Sequence, residues 1–183
     1  MFSLRPLLRA ALAWVLVTAA LGAVFPQQSL AENGEAVSRT PHANTSELAI
    51  SPDGSRVYLV WYDYQTAGGE SGGGVYFRYR DAGGWHPSLD QGPVSLSDPN
   101  GKSQAPAIAV DSNGGIHVVW AEGSPRVIYH RMLPPGADPA NAGAWSGTEV
   151  ASNQNDPQTP SLAADNSGGI WMVYTVFSDP NYD

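Results

Sequence analysis

The feature that most constrains this chain is one sentence written three times. APAIAVDSNGGIHVVWAE at residues 105–122 returns as TPSLAADNSGGIWMVYTV at 159–176, with Pro106 recurring as Pro160, 54 positions on. A looser copy, SELAISPDGSRVYLVWYD, stands at 46–63. Its offset is 60 between Leu48 and Ile108 but 59 between Trp61 and Trp120, because its turn holds one more residue. The likeness continues beyond each strand pair. VYFRYRDAGGW at 75–85 corresponds to VIYHRM at 127–132, followed after an insertion by GAW at 143–145. Each copy therefore reads as strand, turn, strand, loop, strand, aromatic turn and short strand.

A four-stranded unit recurring about every fifty residues fits one blade of a β-propeller. The expected fold is all-β, with blades at 46–97, 106–151 and 160–183, about two and a half blades of an incomplete ring. Strands of the second blade are expected at 106–110, 115–121, 126–132 and 147–151. VYLVW, IHVVW and IWMVY are apolar at almost every position, as strands are when both faces of their sheet are covered. Ala107, Ala109, Ala163 and Ala164 give the preceding strands the small side chains that crowding around an axis requires. A β-sandwich would show cleaner in-and-out alternation and no fixed period. A right-handed β-helix would repeat at a much shorter interval. The last copy ends at Asp183, in the loop after its second strand. The expectation is that missing blades come in cis or from another chain, since open strand edges invite pairing.

Arg5 and Arg9 precede an uncharged apolar run at 10–25, and Ser29-Leu30-Ala31 supplies a small-x-small cleavage pattern. Residues 1–31 are read as a signal peptide and 32–45 as a linker, giving an exported protein with no membrane segment after cleavage. The run is shorter than the ~20 residues that span a bilayer. Removing the two arginines leaves seven basic against 17 acidic residues, a balance of −10. No basic stripe remains to displace counterions from nucleic acid. With no cysteine, the fold must rest on its core and not on disulfides.

On VYFRYRDAGGW and the AVDSNGGIHVVW sentence, the chain resembles bacterial propellers of the BNR-repeat, sialidase-like kind, whose blades carry a Ser-x-Asp-x-Gly-x-x-Trp Asp-box. Here Tyr79 stands for the serine, Asp81 and Gly83 match, and Trp85 comes one residue early. In the second copy only Gly143-Ala144-Trp145 remains. The resemblance implies that Asp81, Gly83 and Trp85 are a structural turn at the outer rim. ISPDGSRVYLVW at 50–61 is also similar to TolB-like propeller repeats. Both resemblances imply a propeller, and neither transfers an activity. Sialidases clamp a sugar carboxylate with three arginines, the first in an Arg-Ile-Pro motif absent from this chain. Arg78, Arg80 and Arg131 fall in third strands, toward the blade exterior.

Other motifs read as scaffold. Asp111 with Gly114, and Asp165 with Gly168, place oxygens before a glycine as calcium loops do. An apolar strand follows where further acidic ligands would be needed, so both are hairpin turns. His42, His86, His117 and His130 show no metal-ligand spacing. No nucleophile elbow is present, the glycine-rich stretch at 67–74 lacks the Lys-Ser/Thr that cradles phosphate, and no cofactor is expected. Candidate binding residues come from loop geometry. Loops joining second to third strands share a face with those joining one blade to the next. They gather Asp63, Tyr64, Glu70, Asp98, Asn100, Lys102, Glu122, Asn155 and Asp156, a polar rim suited to a carbohydrate or an extracellular protein. A partial sialidase-like hydrolase and a purely structural scaffold are the alternatives.

Overall fold

The structure is a computed structural model that describes residues 35–38, 42–64 and 73–176. The expected signal peptide, Glu70 and the residues after 176 lie outside the described residues. Among the described residues the chain is all-β, with eleven strands and a single short 3-10 turn at Ala142–Ala144. The first antiparallel sheet holds β1 (Ala43–Ile50), β2 (Val57–Tyr64), β3 (Gly73–Asp81) and β4 (Gly84–His86), and β5 (Val94–Ser95) also pairs with β3. The second holds β6 (Ser103–Val110), β7 (Ile116–Gly123), β8 (Arg126–Leu133) and β9 (Glu149–Ser152), paired in chain order. In the third, β10 (Pro157–Ala164) pairs with β11 (Ile170–Val176). The first strand of each sheet begins earlier than expected, β10 starting at Pro157 and not at 160. β1 begins inside the stretch read as linker, and β6 starts at Ser103, before Pro106, because its ladder to β7 continues across an irregularity.

The apolar runs pack the sheets onto one another. Tyr58, Val60, Tyr62 and Phe77 of the first sheet share a buried cluster with Ile108, Val118 and Trp120 of the second. On the opposite face of the second sheet, Ala107, Val119, Ala121 and Ile128 pack against Leu162, Met172 and Tyr174 of the third. Successive residues of β7 thus serve opposite faces, as the pleat dictates. That is why IHVVW is apolar at every position but His117. The expectation of two covered faces holds for the second sheet and not for the others: Leu48, Ile50, Trp171 and Val173 are exposed. Ala107 and Ala109 are buried, whereas Ala163 and Ala164 lie at the surface.

The turns explain the repeated aspartate and double glycine. One Asp111 carboxylate oxygen accepts the backbone N–H groups of Asn113 (2.7 Å) and Gly115 (2.9 Å). Asp165 accepts those of Ser167 and Gly169 at 2.8 Å each. Gly114 and Gly168 sit at φ 89° and 88°, where L-residues are strained. Gly115 and Gly169 are needed for a different reason, since a Cβ on either would collide with the aspartate carboxylate. The Ser167 hydroxyl, the Trp171 indole N–H and the Gly169 N–H hold the Asp165 carboxyl well below its usual range. For Asp111, burial pushes upward, but the N–H groups of Gly115 and Asn113 and the His117 ring outweigh it and lower the pKa.

The arginines of the third strands do not simply face outward. Arg80 is exposed, but Arg78 is only 1% exposed. Its guanidinium donates to the carbonyls of Pro87, Ser88 (2.8 Å) and Gln91 (2.5 Å). Arg131 is half-buried and donates to the carbonyls of Ser146 (2.7 Å), Leu96 (3.1 Å) and Trp145 (3.4 Å). A planar fork with five donors can collect the carbonyls of an irregular connection, which have no ladder of their own. Both arginines hold the outer closure of a sheet.

One feature recurs in all three sheets without a glycine. The first strand of each carries an irregularity in register, between Asn44 and Ser46, Gln104 and Ala107, and Gln158 and Ser161. Within these irregularities Thr45, Ala105 and Thr159 adopt φ of 30°, 46° and 41°. They occupy the same place in the repeat, three residues before Leu48, Ile108 and Leu162. A β-carbon in this region costs roughly 1–2 kcal/mol. Ala105→Gly is accordingly expected to raise the unfolding free energy by about 1 kcal/mol, read as a higher urea midpoint at unchanged slope.

Candidate functional site

The loops at the bulged end of the first strands are built from short polar residues tied to one another. Ser97 and Ser103 meet at 2.9 Å between hydroxyl oxygens, and Ser97 Oγ accepts the Val75 N–H at 2.8 Å. The Ser103 hydroxyl also approaches Glu122 Oε2 at 2.6 Å, and the Trp120 indole donates to the same oxygen at 2.8 Å. The Gly101 N–H donates to the Asp98 carbonyl, and the Gly73 N–H to the Gly101 carbonyl. A Cβ on Gly101 would stand 2.9 Å from Glu122 Oε1. The connection from the first sheet to the second is therefore clasped to the end of β7.

Several of the expected rim residues come together here. Asp98 and Asn100 are exposed in this connection, Asp98 Oδ1 accepting the Asn100 N–H at 2.8 Å. Lys102 is exposed, and its backbone bridges to Gly73. Glu122 is half-buried beneath them. Asp63 lies opposite Gly74 across the β2–β3 ladder and is 4% exposed, a buried acid rather than a rim group. Tyr64 pairs with Gly73 at the end of that ladder. Asn155 and Asp156 belong to the next connection, where both adopt positive φ, 53° and 50°. The Asp156 carboxylate accepts the Arg126 backbone N–H at 2.6 Å, and its other oxygen meets the Arg126 guanidinium at 3.4 Å. Asp156 thus clasps the second-to-third connection to the β7–β8 turn, much as Glu122 and Ser103 clasp the first-to-second.

The expected structural turn at Asp81 stands apart, where β3 turns into β4. One Asp81 oxygen accepts the Gly83 N–H at 2.8 Å and meets His86 Nε2 at 3.0 Å. These two contacts lower its pKa, the Gly83 N–H contributing more. His86 stacks on Tyr79 at 4.7 Å, while Trp85 is half-buried. In the second sheet it is Trp145 that is buried, edge-on to Phe77 at 5.0 Å.

Two features escaped the sequence reading. Asp111, His117, His130 and Glu149 form a file across the second sheet. His117 Nε2 lies 3.3 Å from Asp111, the two rings stack with Nδ1 and Nε2 at 3.2 Å, and His130 Nδ1 lies 3.9 Å from Glu149. Burial, then the neighbouring His117, lowers the His130 pKa against the pull of Glu149. Among the described residues no group of three or more His, Cys, Asp or Glu is arranged to hold a metal. At the end of the sheets opposite the bulges, a cleft of about 390 Å³ lies between the β1–β2 and β6–β7 turns. Asp53, Arg56, Tyr58, Ser112 and Asn113 contribute to its wall. Hydrogen bonds from Ser51 and Ser55 hold the Asp53 pKa at about 2. The lone arginine of the first copy's turn was its only sequence signal.

No family model matches the chain, and no curated protein matches it. Among solved structures it resembles the crystal structure of an α-L-arabinofuranosidase from Lactobacillus brevis, with a TM-score of 0.51 at 17% identity. The match covers 77% of this chain and 49% of the other, so the chain spans about half the length of that enzyme. At this identity the likeness is one of fold.

Proposed function

We propose that the chain is an exported segment of a β-propeller of the BNR-repeat kind, its sheets successive blades, and that it binds a carbohydrate at the bulged end. The observation that carries this reading is the threefold strain at Thr45, Ala105 and Thr159. Strained backbone persists where the surroundings over-determine it, and it concentrates at binding and catalytic sites. Bulges likewise re-aim groups beside such sites. A pure scaffold would gain by placing glycine at each of these positions. The adjoining loops add exposed carboxylate and amide groups at Asp98, Asn100 and Asn155, which suit the hydroxyls of a neutral sugar.

The likeness to a glycoside hydrolase fold favours a second reading, a partial glycosidase. Its acids would have to come from the buried Asp63 and half-buried Glu122, with catalytic partners from other blades. The test is an array of neutral oligosaccharides probed with the full chain, paired with turnover of aryl glycosides. Binding without turnover is expected, falling at least tenfold in Asp98→Ala and in Asn155→Ala. Binding left intact by both changes contradicts the loop-end site, and turnover supports the second reading.

A further inference from the structure

The outer faces of the first and third sheets are equivalents of faces that the second sheet covers. In the second sheet, Ile108 and Val118 point into the cluster shared with the first sheet. Their counterparts in the first copy, Leu48 and Leu59, are paired in register on the opposite side from Ala49, which packs against that cluster. Leu48 is 61% exposed and Ile50 56%. At the other end, Val119 points into the cluster shared with the third sheet. Its counterpart Val173 is 70% exposed, beside Trp171 at 68%. Each copy of the chain therefore carries both halves of its own sheet-to-sheet interface, exposed at Leu48 and Ile50 on one end, where Trp61 is already buried, and at Trp171 and Val173 on the other.

We propose that copies of this chain associate head to tail, the Trp171–Val173 face of one against the Leu48–Ile50 face of the next. Three observations specify a second copy. The contact would continue the packing already present between its own sheets, with Leu48 standing for Ile108 and Val173 for Val119, while Trp171 adds an apolar ring where the second sheet has His117. The ionisable groups bordering the two faces are of opposite sign, since exposed Arg80 lies across the ladder from Val57 on the Ile50 face and Asp165 meets the Trp171 indole, so association brings no like charges together. The Trp171 indole N–H is already donated to Asp165 at 2.9 Å, so covering the ring strands no donor. The contact is heterologous, joining two different patches, and it forms a closed ring or an open string according to its rotation. It depends on sheet stacking alone, independently of any ligand at the loops.

The experiment is sedimentation of the full chain over a hundredfold range of concentration. Dimers or larger species that dissociate on dilution are expected. Leu48→Asp and Trp171→Asp should each sediment as monomers, with Val173→Asp as a second variant of the same face. All are at exposed positions, so a wild-type circular dichroism spectrum is expected throughout. The decisive sample is an equimolar mixture of Leu48→Asp and Trp171→Asp. Each variant retains the half that the other needs, so the mixture should form a one-to-one dimer and nothing larger. A monomeric wild type, or variants that stay assembled alone, or a mixture that remains monomeric, would overturn the proposal.

Discussion

Replacing Arg78 with alanine should lower the unfolding free energy by about 3–5 kcal/mol, because a large buried side chain is lost and three carbonyls lose their donor together. The residue is 1% exposed and serves three carbonyls, those of Pro87, Ser88 and Gln91. Each carbonyl left buried without a donor costs roughly 1–3 kcal/mol, and part is recovered where the 87–91 connection opens to water. Arg78→Lys should recover only a fraction, because an ammonium cannot serve three acceptors spread over a planar fork. Arg80→Ala, at an exposed position two residues along the same strand, should stay within ~0.5 kcal/mol. Urea titrations of the three variants check the series. Equal effects at 78 and 80 would mean that the guanidinium is not holding the connection.

Trp120→Ala should cost about as much, roughly 3–5 kcal/mol, by a different route. The indole is 1% exposed, lies in the cluster joining the first and second sheets, and stands 6.1 Å from the Tyr129 ring. Its N–H also fixes the Glu122 carboxylate, which Ser103 holds from the other side. Trp120→Phe separates the two contributions. It keeps most of the packing and should cost about 1–2 kcal/mol for the lost charge-assisted bond. If phenylalanine is as damaging as alanine, the indole–carboxylate bond outweighs the packing, contrary to the buried volume.

Most of the strand order was legible because a repeat tests itself. Three copies align, so strands and turns in one predict those in another. The DSNGG and DNSGG turns announce both of their requirements, a positive φ and a close approach of carboxylate to backbone. What was hidden depends on contacts distant in sequence. An arginine is ordinarily exposed, and nothing near Arg78 in the sequence signals carbonyls at 87–91 waiting for it. The bulges were hidden differently. Ala105 and Thr159 precede prolines, a context that favours extended backbone, so local preference pointed away from the left-handed region they adopt. Their only trace is the shared X-Pro step at one position of two copies. The rim was partly legible: Asp98 and Asn100 are exposed as expected, whereas Asp63 is buried and Asp156 is engaged with Arg126. Polarity marks a loop, but not whether its side chains are already spent on one another.

The central claim is that the repeated sentence builds the scaffold while the bulged end takes the ligand. Amide hydrogen exchange of the full chain, with and without a glycan that binds it, tests this most directly. Slowed exchange is predicted in peptides covering 97–105, 122–126 and 153–159, with no change in the turns at 111–115 and 165–169. Protection at 51–56 and 112–114, around the opposite cleft, would contradict the account and move the site to the other end of the sheets.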